Sequence, residues 1–155
     1  LLVIKMSFFQ GQETYSLDSK GRVNIPAKMR KALSTDSNEA FVVTRGTDNC
    51  IVAYPMDEWK KYQTKLQSLN QYDEKNRYFL RVLLMWSDEV SLDTQNRITL
   101  PKRLLEFAGI DKKVLIMGMV DKIEFWNPDT FEASINNFGE SYEDVAKFVM
   151  TKKED

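Results

Sequence analysis

The chain has 155 residues, 43% hydrophobic and 29% charged, with a net charge of −1. That balance belongs to a globular protein and excludes the disordered and fibrous classes. Histidine is absent and Cys50 is the single cysteine, which removes the commonest general base and metal ligand and leaves no intrachain disulfide.

The opening Leu-Leu-Val-Ile, closed by Lys5, is too short for a membrane span or a signal-peptide apolar region. Met6 reads as a native start, with residues 1–5 as an upstream extension. A cytoplasmic protein with no membrane partner is expected. Phe8 to Leu17 reads as a strand, with Gly11 as a bulge.

The strand runs into Ser16-Leu17-Asp18-Ser19-Lys20-Gly21-Arg22-Val23-Asn24-Ile25-Pro26. Asp18 can accept from the backbone N–H groups ahead of it in an Asx-turn, and Gly21 can take a positive φ without steric cost. Arg22-Val23-Asn24-Ile25 alternates polar and apolar, the period of a half-buried strand, which sends Val23 and Ile25 to a core. Pro26 suits the first position of a short helix over 28–33.

Ser34 to Asn38 reads as a loop, then Phe41-Val42-Val43-Thr44 and Cys50-Ile51-Val52-Ala53-Tyr54 as a hairpin turning at 46–49. Asp57 reads as the cap of a helix carrying Trp59, Tyr62, Leu66 and Leu69. Residues 78–86 are almost wholly apolar, so a helix there is expected to bury both faces, locking the halves together or packing against a neighbouring subunit.

The motif then returns 75 residues on, as Ser91-Leu92-Asp93-Thr94-Gln95-Asn96-Arg97-Ile98-Thr99-Leu100-Pro101. Five of the eleven positions are identical, and three more exchange Ser/Thr, Val/Ile or Ile/Leu. Asn96 replaces Gly21, and Asn is the ordinary residue that best tolerates the left-handed region. The copies therefore make one backbone demand with different residues. A short helix with Leu104, Leu105 and Phe107 follows, stopped at Gly109. Val114 to Met117 and Ile123 to Trp126 repeat the hairpin, turning at Asp121-Lys122.

The repeat divides the chain into a first unit, 12–59, a helical connector, 60–86, a second unit, 87–131, and a C-terminal helical segment, 132–155. Units this small would be marginal alone, so a shared core is expected. Asn127-Pro128 starts a helix with Phe131, Ile135 and Phe138 along one side, broken at Gly139. Ser141 with Asp144 resembles a capping box for a last helix bearing Tyr142, Val145, Phe148 and Val149, suited to packing or subunit contact. The end from Lys152 is expected to fray.

The motif inventory points away from catalysis. There is no Gly-rich phosphate loop, no paired cysteine and no Asp-x-Asp calcium loop. Cys50, mid-strand and without a histidine, reads as a packing residue. No catalytic residue, metal ligand, cofactor or small-molecule substrate is expected.

Charge is placed unevenly. Residues 19–35 carry Lys20, Arg22, Lys28, Arg30 and Lys31 and no acid; residues 94–105 carry Arg97, Lys102 and Arg103 and no acid. From 111 onward there are ten acidic and six basic residues. Asp18–Arg22 and Asp93–Arg97 could simply be ion pairs bracketing each turn, and exposed pairs stabilise little. The other reading is that Asp orients Arg toward a duplex, where its fork bonds guanine O6 and N7 while Lys20, Lys28, Arg30 and Arg103 take phosphates. A non-catalytic oligomeric scaffold, its basic turns merely solvated, is the competing class.

The paired Asp-x-x-x-Arg turns, each leading to a Pro-initiated helix, resemble the MraZ family. The likeness spans Met6 to about Asn137. It implies two tandem AbrB-like (SpoVT/AbrB) units: a β-rich α+β fold of two swapped-hairpin, double-split β-barrel units with connecting and C-terminal helices. It further implies a nucleoid-associated transcriptional regulator, assembled as a closed ring of identical subunits. Such a regulator binds short direct repeats of double-stranded DNA upstream of the division and cell-wall gene cluster. Residue by residue, it puts Asp18, Lys20, Gly21 and Arg22 at one DNA-facing turn and Asp93 and Arg97 at the other. Gln95 stands where that family commonly has Lys and Asn96 where it has Gly, leaving the second turn free to serve assembly. An AbrB-like antitoxin is a rival, although such proteins usually carry one unit and a disordered tail.

Overall fold

The computed structural model describes residues 7–152. The start at Met6 and, of the tail expected to fray from Lys152, residues 153–155 lie outside them. In chain order the strands and helices are β1 (Gln12–Ser16), β2 (Arg22–Asn24), α1 (Ala27–Ala32), β3 (Ala40–Arg45), β4 (Ile51–Pro55), α2 (Met56–Gln67) and α3 (Glu74–Met85). The second half supplies β5 (Asp88–Ser91), β6 (Arg97–Thr99), α4 (Lys102–Ala108), β7 (Lys113–Met119), β8 (Lys122–Trp126), α5 (Pro128–Asn136) and α6 (Tyr142–Thr151).

The strands interleave the two halves. β1 pairs with β7, β5 with β3, β4 with β8 and β2 with β6, every pair antiparallel. Each half thus lends its first strand to the other half's hairpin. The result is a mixed α+β fold in which a six-stranded sheet, ordered β1-β7-β8-β4-β3-β5, stands beside a two-stranded β2-β6 ribbon. Among the described residues these strands form no closed barrel, so of the expected double-split β-barrel units it is the β-rich α+β class that the structure shows. The sheet ends at β1 and β5, and the ribbon packs across it through side chains instead of joining its ladder.

The shared core follows from the alternation. On the ribbon, Val23 pairs with Ile98, and both are 1% exposed, as are Ile25 and Leu100. They meet Phe41, Val43 and Ile51 of the first half and Val114, Ile116, Ile123 and Phe125 of the second, with Met29 and Leu104 projecting from the two short helices. Full burial of each such side chain contributes roughly 1.5–3 kcal/mol, and no half holds a complete set.

Several local expectations change. β1 starts after Gly11, whose φ is +86°; the chain before it is tied by an isolated bridge between Phe9 and Val120. The 34–38 loop contains a 3-10 turn at Thr35–Ser37. Pro55, not Asp57, occupies the N-cap of α2, and the Asp57 carboxylate accepts from the Ser34 hydroxyl. Ser141 caps α6, its hydroxyl accepting from the Asp144 N–H at 3.1 Å.

The helix over 78–86 does not bury both faces within the chain. Leu83 is buried, with Val42, Trp59 and Leu66, but Tyr78 is 70% and Met85 59% exposed. The reason is that α3 has one wall only, formed by β3 and α2, and a helix on one wall covers one stripe. In the same way Phe131 packs on Trp126, whereas Ile135, Phe138 and Phe148 are exposed.

Candidate nucleic-acid interface

Both repeated turns close through one hydrogen-bond set. In the first, Asp18 Oδ1 accepts from the Lys20 N–H at 2.9 Å and the Arg22 N–H at 2.8 Å. The Asp18 N–H donates to the Arg22 carbonyl and the Gly21 N–H to the Asp18 carbonyl. In the second, Asp93 Oδ1 accepts from the Gln95 and Arg97 N–H groups, and its backbone repeats the other two bonds. Gly21 has φ +78° and Asn96 φ +62°, the shared demand that their different identities implied.

Each aspartate also holds its arginine. Arg22 Nε donates to Asp18 Oδ2 at 2.6 Å and Arg97 Nε to Asp93 Oδ2 at 2.9 Å. Both bonds use Nε and leave the terminal amino nitrogens outside the pair. Both carboxyls sit below the usual aspartate range. The largest cause is the backbone N–H of the arginine four residues on, aided by the preceding N–H and the guanidinium, against a smaller desolvation opposing it. The carboxylates are therefore charged at neutral pH.

Ribbon pairing sets the two arginines on one surface. Arg22 lies opposite Thr99 and Asn24 opposite Arg97, so these four share the face away from the buried Val23–Ile98 pair. The arginines stand diagonally, close enough that Arg97 Nη1 is 3.9 Å from Asp18 Oδ2. Their side chains are 32% and 21% exposed, Arg97 being the more sheltered. Asn24 adds to that difference: its amide donates to the Gln95 carbonyl at 3.0 Å, pinning the second turn to the ribbon. Thr99, its equivalent beside the first turn, makes no such bond among the described residues.

Each turn is clasped by the opposite half. Around the first, the Leu17 N–H donates to the Lys112 carbonyl and the Leu100 N–H to the Gly21 carbonyl, both at 2.8 Å. Around the second, the Leu92 N–H donates to the Glu39 carbonyl and the Ile25 N–H to the Asn96 carbonyl, both at 3.0 Å. Helix α1 therefore flanks the second turn, not its own: Arg30 and Lys31 line a groove with Leu92 and Asn96.

The other basic residues are placed unequally. Lys20 and Lys28 are exposed. Arg30 is half-buried, its Nε donating to the Ile25 carbonyl at 3.1 Å. Arg103 turns away from the ribbon, bonding the Met85 carbonyl at 2.7 Å and lying over Trp86. Lys112 and Lys113, counted by sequence with the acidic C-terminal part, stand beside the first turn instead. Only strand pairing at a separation of about a hundred residues reveals them, since Ser16 pairs with Lys113.

Cys50 is buried, and burial together with the nearby Glu124 pushes its thiol pKa far up, consistent with a packing role. Among the described residues no cluster of three or more Cys, Asp or Glu side chains could hold a metal, and no helix is long and apolar enough to cross a membrane.

Residues 8–82 and 83–149 each match the model of the family described as "MraZ protein, putative antitoxin-like". A protein of Natranaerobius thermophilus named Transcriptional regulator MraZ is 39% identical over 142 residues, which cover 92% of this chain and 96% of the relative. Another of the same name, from Halothermothrix orenii, is 39% identical over 138 residues, covering 89% of this chain and 94% of that one.

Proposed function

The chain belongs to the MraZ family, and from that premise we propose that it is a non-catalytic, DNA-binding regulator of transcription. The observation that carries this reading is the ribbon face, where two aspartate-oriented guanidinium groups stand clear of the core on paired strands. A two-stranded ribbon is narrow enough to enter a major groove, and each Arg–guanine pair is worth roughly 1–3 kcal/mol of discrimination. Arg22 is the principal reader. Lys20, Lys28 and Arg30 supply phosphate contacts with the salt dependence those bring, while Arg103, engaged with Met85 and Trp86, contributes less. Arg97 and Asp93 reach the duplex second or serve assembly.

The target is a set of short direct repeats upstream of the division and cell-wall genes, read by a ring of identical subunits in the cytoplasm, at the nucleoid. The exposed apolar residues of α3 and α6 support assembly, because each helix leaves a stripe uncovered. Many identical, weakly basic turns on one ring would favour repeated sites through effective concentration. The exchange of first strands between halves is read as the swapped-hairpin arrangement of AbrB-like units.

The test is a mobility shift with titrated salt. Arg22→Ala is expected to lose preference for the upstream sequence over a scrambled duplex, whereas Lys20→Ala weakens binding to both alike. If both variants bind as the parent does, the scaffold reading replaces this one.

A further inference from the structure

The two turns share a backbone and differ in what surrounds them. Beside the first turn runs an open groove of about 990 Å³, lined by Lys20, Lys102, Lys112 and Lys113. Three of these four lysines come from the second half. They are not placed by chance of rotamer alone, because the backbone bonds Leu17–Lys112 and Gly21–Leu100 hold their segments against both sides of the turn. Lys113 Nζ additionally donates to the Ser16 hydroxyl at 3.0 Å.

At the positions related by the repeat and its pairing, the second turn has no such set. Gln95 replaces Lys20, Ala27 replaces Lys102, and Glu39 and Ala40 replace Lys112 and Lys113. With Asp18 paired to Arg22, the acids left in the first groove are Glu106 and Asp111, against four lysines. The second groove has Arg30 and Lys31 against Glu39.

We propose that the first turn is the duplex-gripping turn, and that the second half completes it: Lys102, Lys112 and Lys113 bind the sugar–phosphate backbone flanking the site of Arg22. This rests on the DNA-binding reading above and adds to it that the halves are not two independent readers. One half carries the arginine and the other carries the phosphate-binding lysines. An open groove continuous with the turn suits an extended polyanion, where a free phosphate would call for an enclosed cavity.

The experiment uses the full chain carrying Lys112→Gln and Lys113→Gln together, Lys102→Gln separately, and Lys60→Gln with Lys65→Gln as a control of equal charge on exposed α2. Binding to the upstream duplex and to a scrambled one is measured from 50 to 300 mM salt. Removing one phosphate-binding lysine is expected to flatten the log–log salt slope by about 0.9 and weaken binding about fivefold near 0.15 M salt. The weakening is equal on both duplexes, and the α2 control is unchanged. An unchanged slope in the groove variants, or an equal change in the control, overturns the proposal while leaving DNA binding in place. If the parent binds neither duplex, the DNA reading itself fails and this inference falls with it.

Discussion

Gly21→Ala tests whether the first turn is locked by its clasp. The residue has φ +78°, and an added Cβ would stand 3.0 Å from the Leu100 carbonyl oxygen and 3.4 Å from Leu105 Cδ1. The left-handed backbone costs an alanine about 1–2 kcal/mol, offset in part by about 0.4–1 kcal/mol from a less flexible unfolded chain. Crowding adds about 1–3 kcal/mol, because the obstacle is backbone: Leu100 also donates its N–H to the Gly21 carbonyl. The total is about 1–5 kcal/mol, or a midpoint about 2–18 °C lower for a chain of this size. Gly11→Ala is the matched reference, with φ +86° and nothing within 4 Å of the added carbon. It should cost only the backbone strain. Thermal unfolding followed by circular dichroism at one fixed protein concentration separates the two. Equal midpoints for both variants would refute the clasp, as would unchanged DNA binding by Gly21→Ala well below its midpoint.

Other outcomes follow from the same geometry. The carboxyls of Asp18 and Asp93 titrate below their ordinary value, so their stabilisation of the turns is complete above about pH 4 and lost as pH falls through the lowered values. Carboxyl titration by NMR should give both midpoints below about 3.9, and a midpoint at or above that would contradict the N–H bonding. Ile98→Ala, at a position 1% exposed, should cost about 2–5 kcal/mol in denaturant unfolding. Because Ile98 supports Val23 across the ribbon, it should also weaken binding through Arg22, and loss of the second turn alone would contradict the shared core. Truncation after Asn137 removes α6, which buries no residue. The melting midpoint of the remaining body should move by less than about 0.5 kcal/mol equivalent, while the sedimentation mass falls if α6 joins subunits.

What could be read from the residues was whatever is decided locally. The Asx-turns, the positive φ at Gly21 and Asn96, the burial of Val23, Ile25, Ile98 and Leu100, and the stop at Gly109 each depend on a few neighbouring positions. The interleaving was not legible, since nothing near Gln12–Ser16 says that its partner is Lys113–Met119. That hid the placement of Lys112 and Lys113 beside Asp18 and of Arg30 beside the second turn. Arg103 reads as a phosphate ligand from its place in the acid-free stretch 94–105; its contacts with a carbonyl and an indole eighteen and seventeen residues earlier were not legible there. The greasy run at 78–86 showed that a helix needs cover without showing that its own chain covers one side only. Asp57 does not cap because Pro55 already sets the entry into α2.

Base reading by Arg22, aimed by Asp18, is the step on which the proposed function turns. A crystal structure of the protein with its own upstream duplex would examine it without intermediaries. The β2-β6 ribbon is expected in the major groove, with the terminal amino nitrogens of Arg22 about 2.7–3.2 Å from base-edge acceptors and its Nε still on Asp18. A duplex seated elsewhere, or Arg22 touching only solvent or phosphate while sequence preference persists, would contradict it.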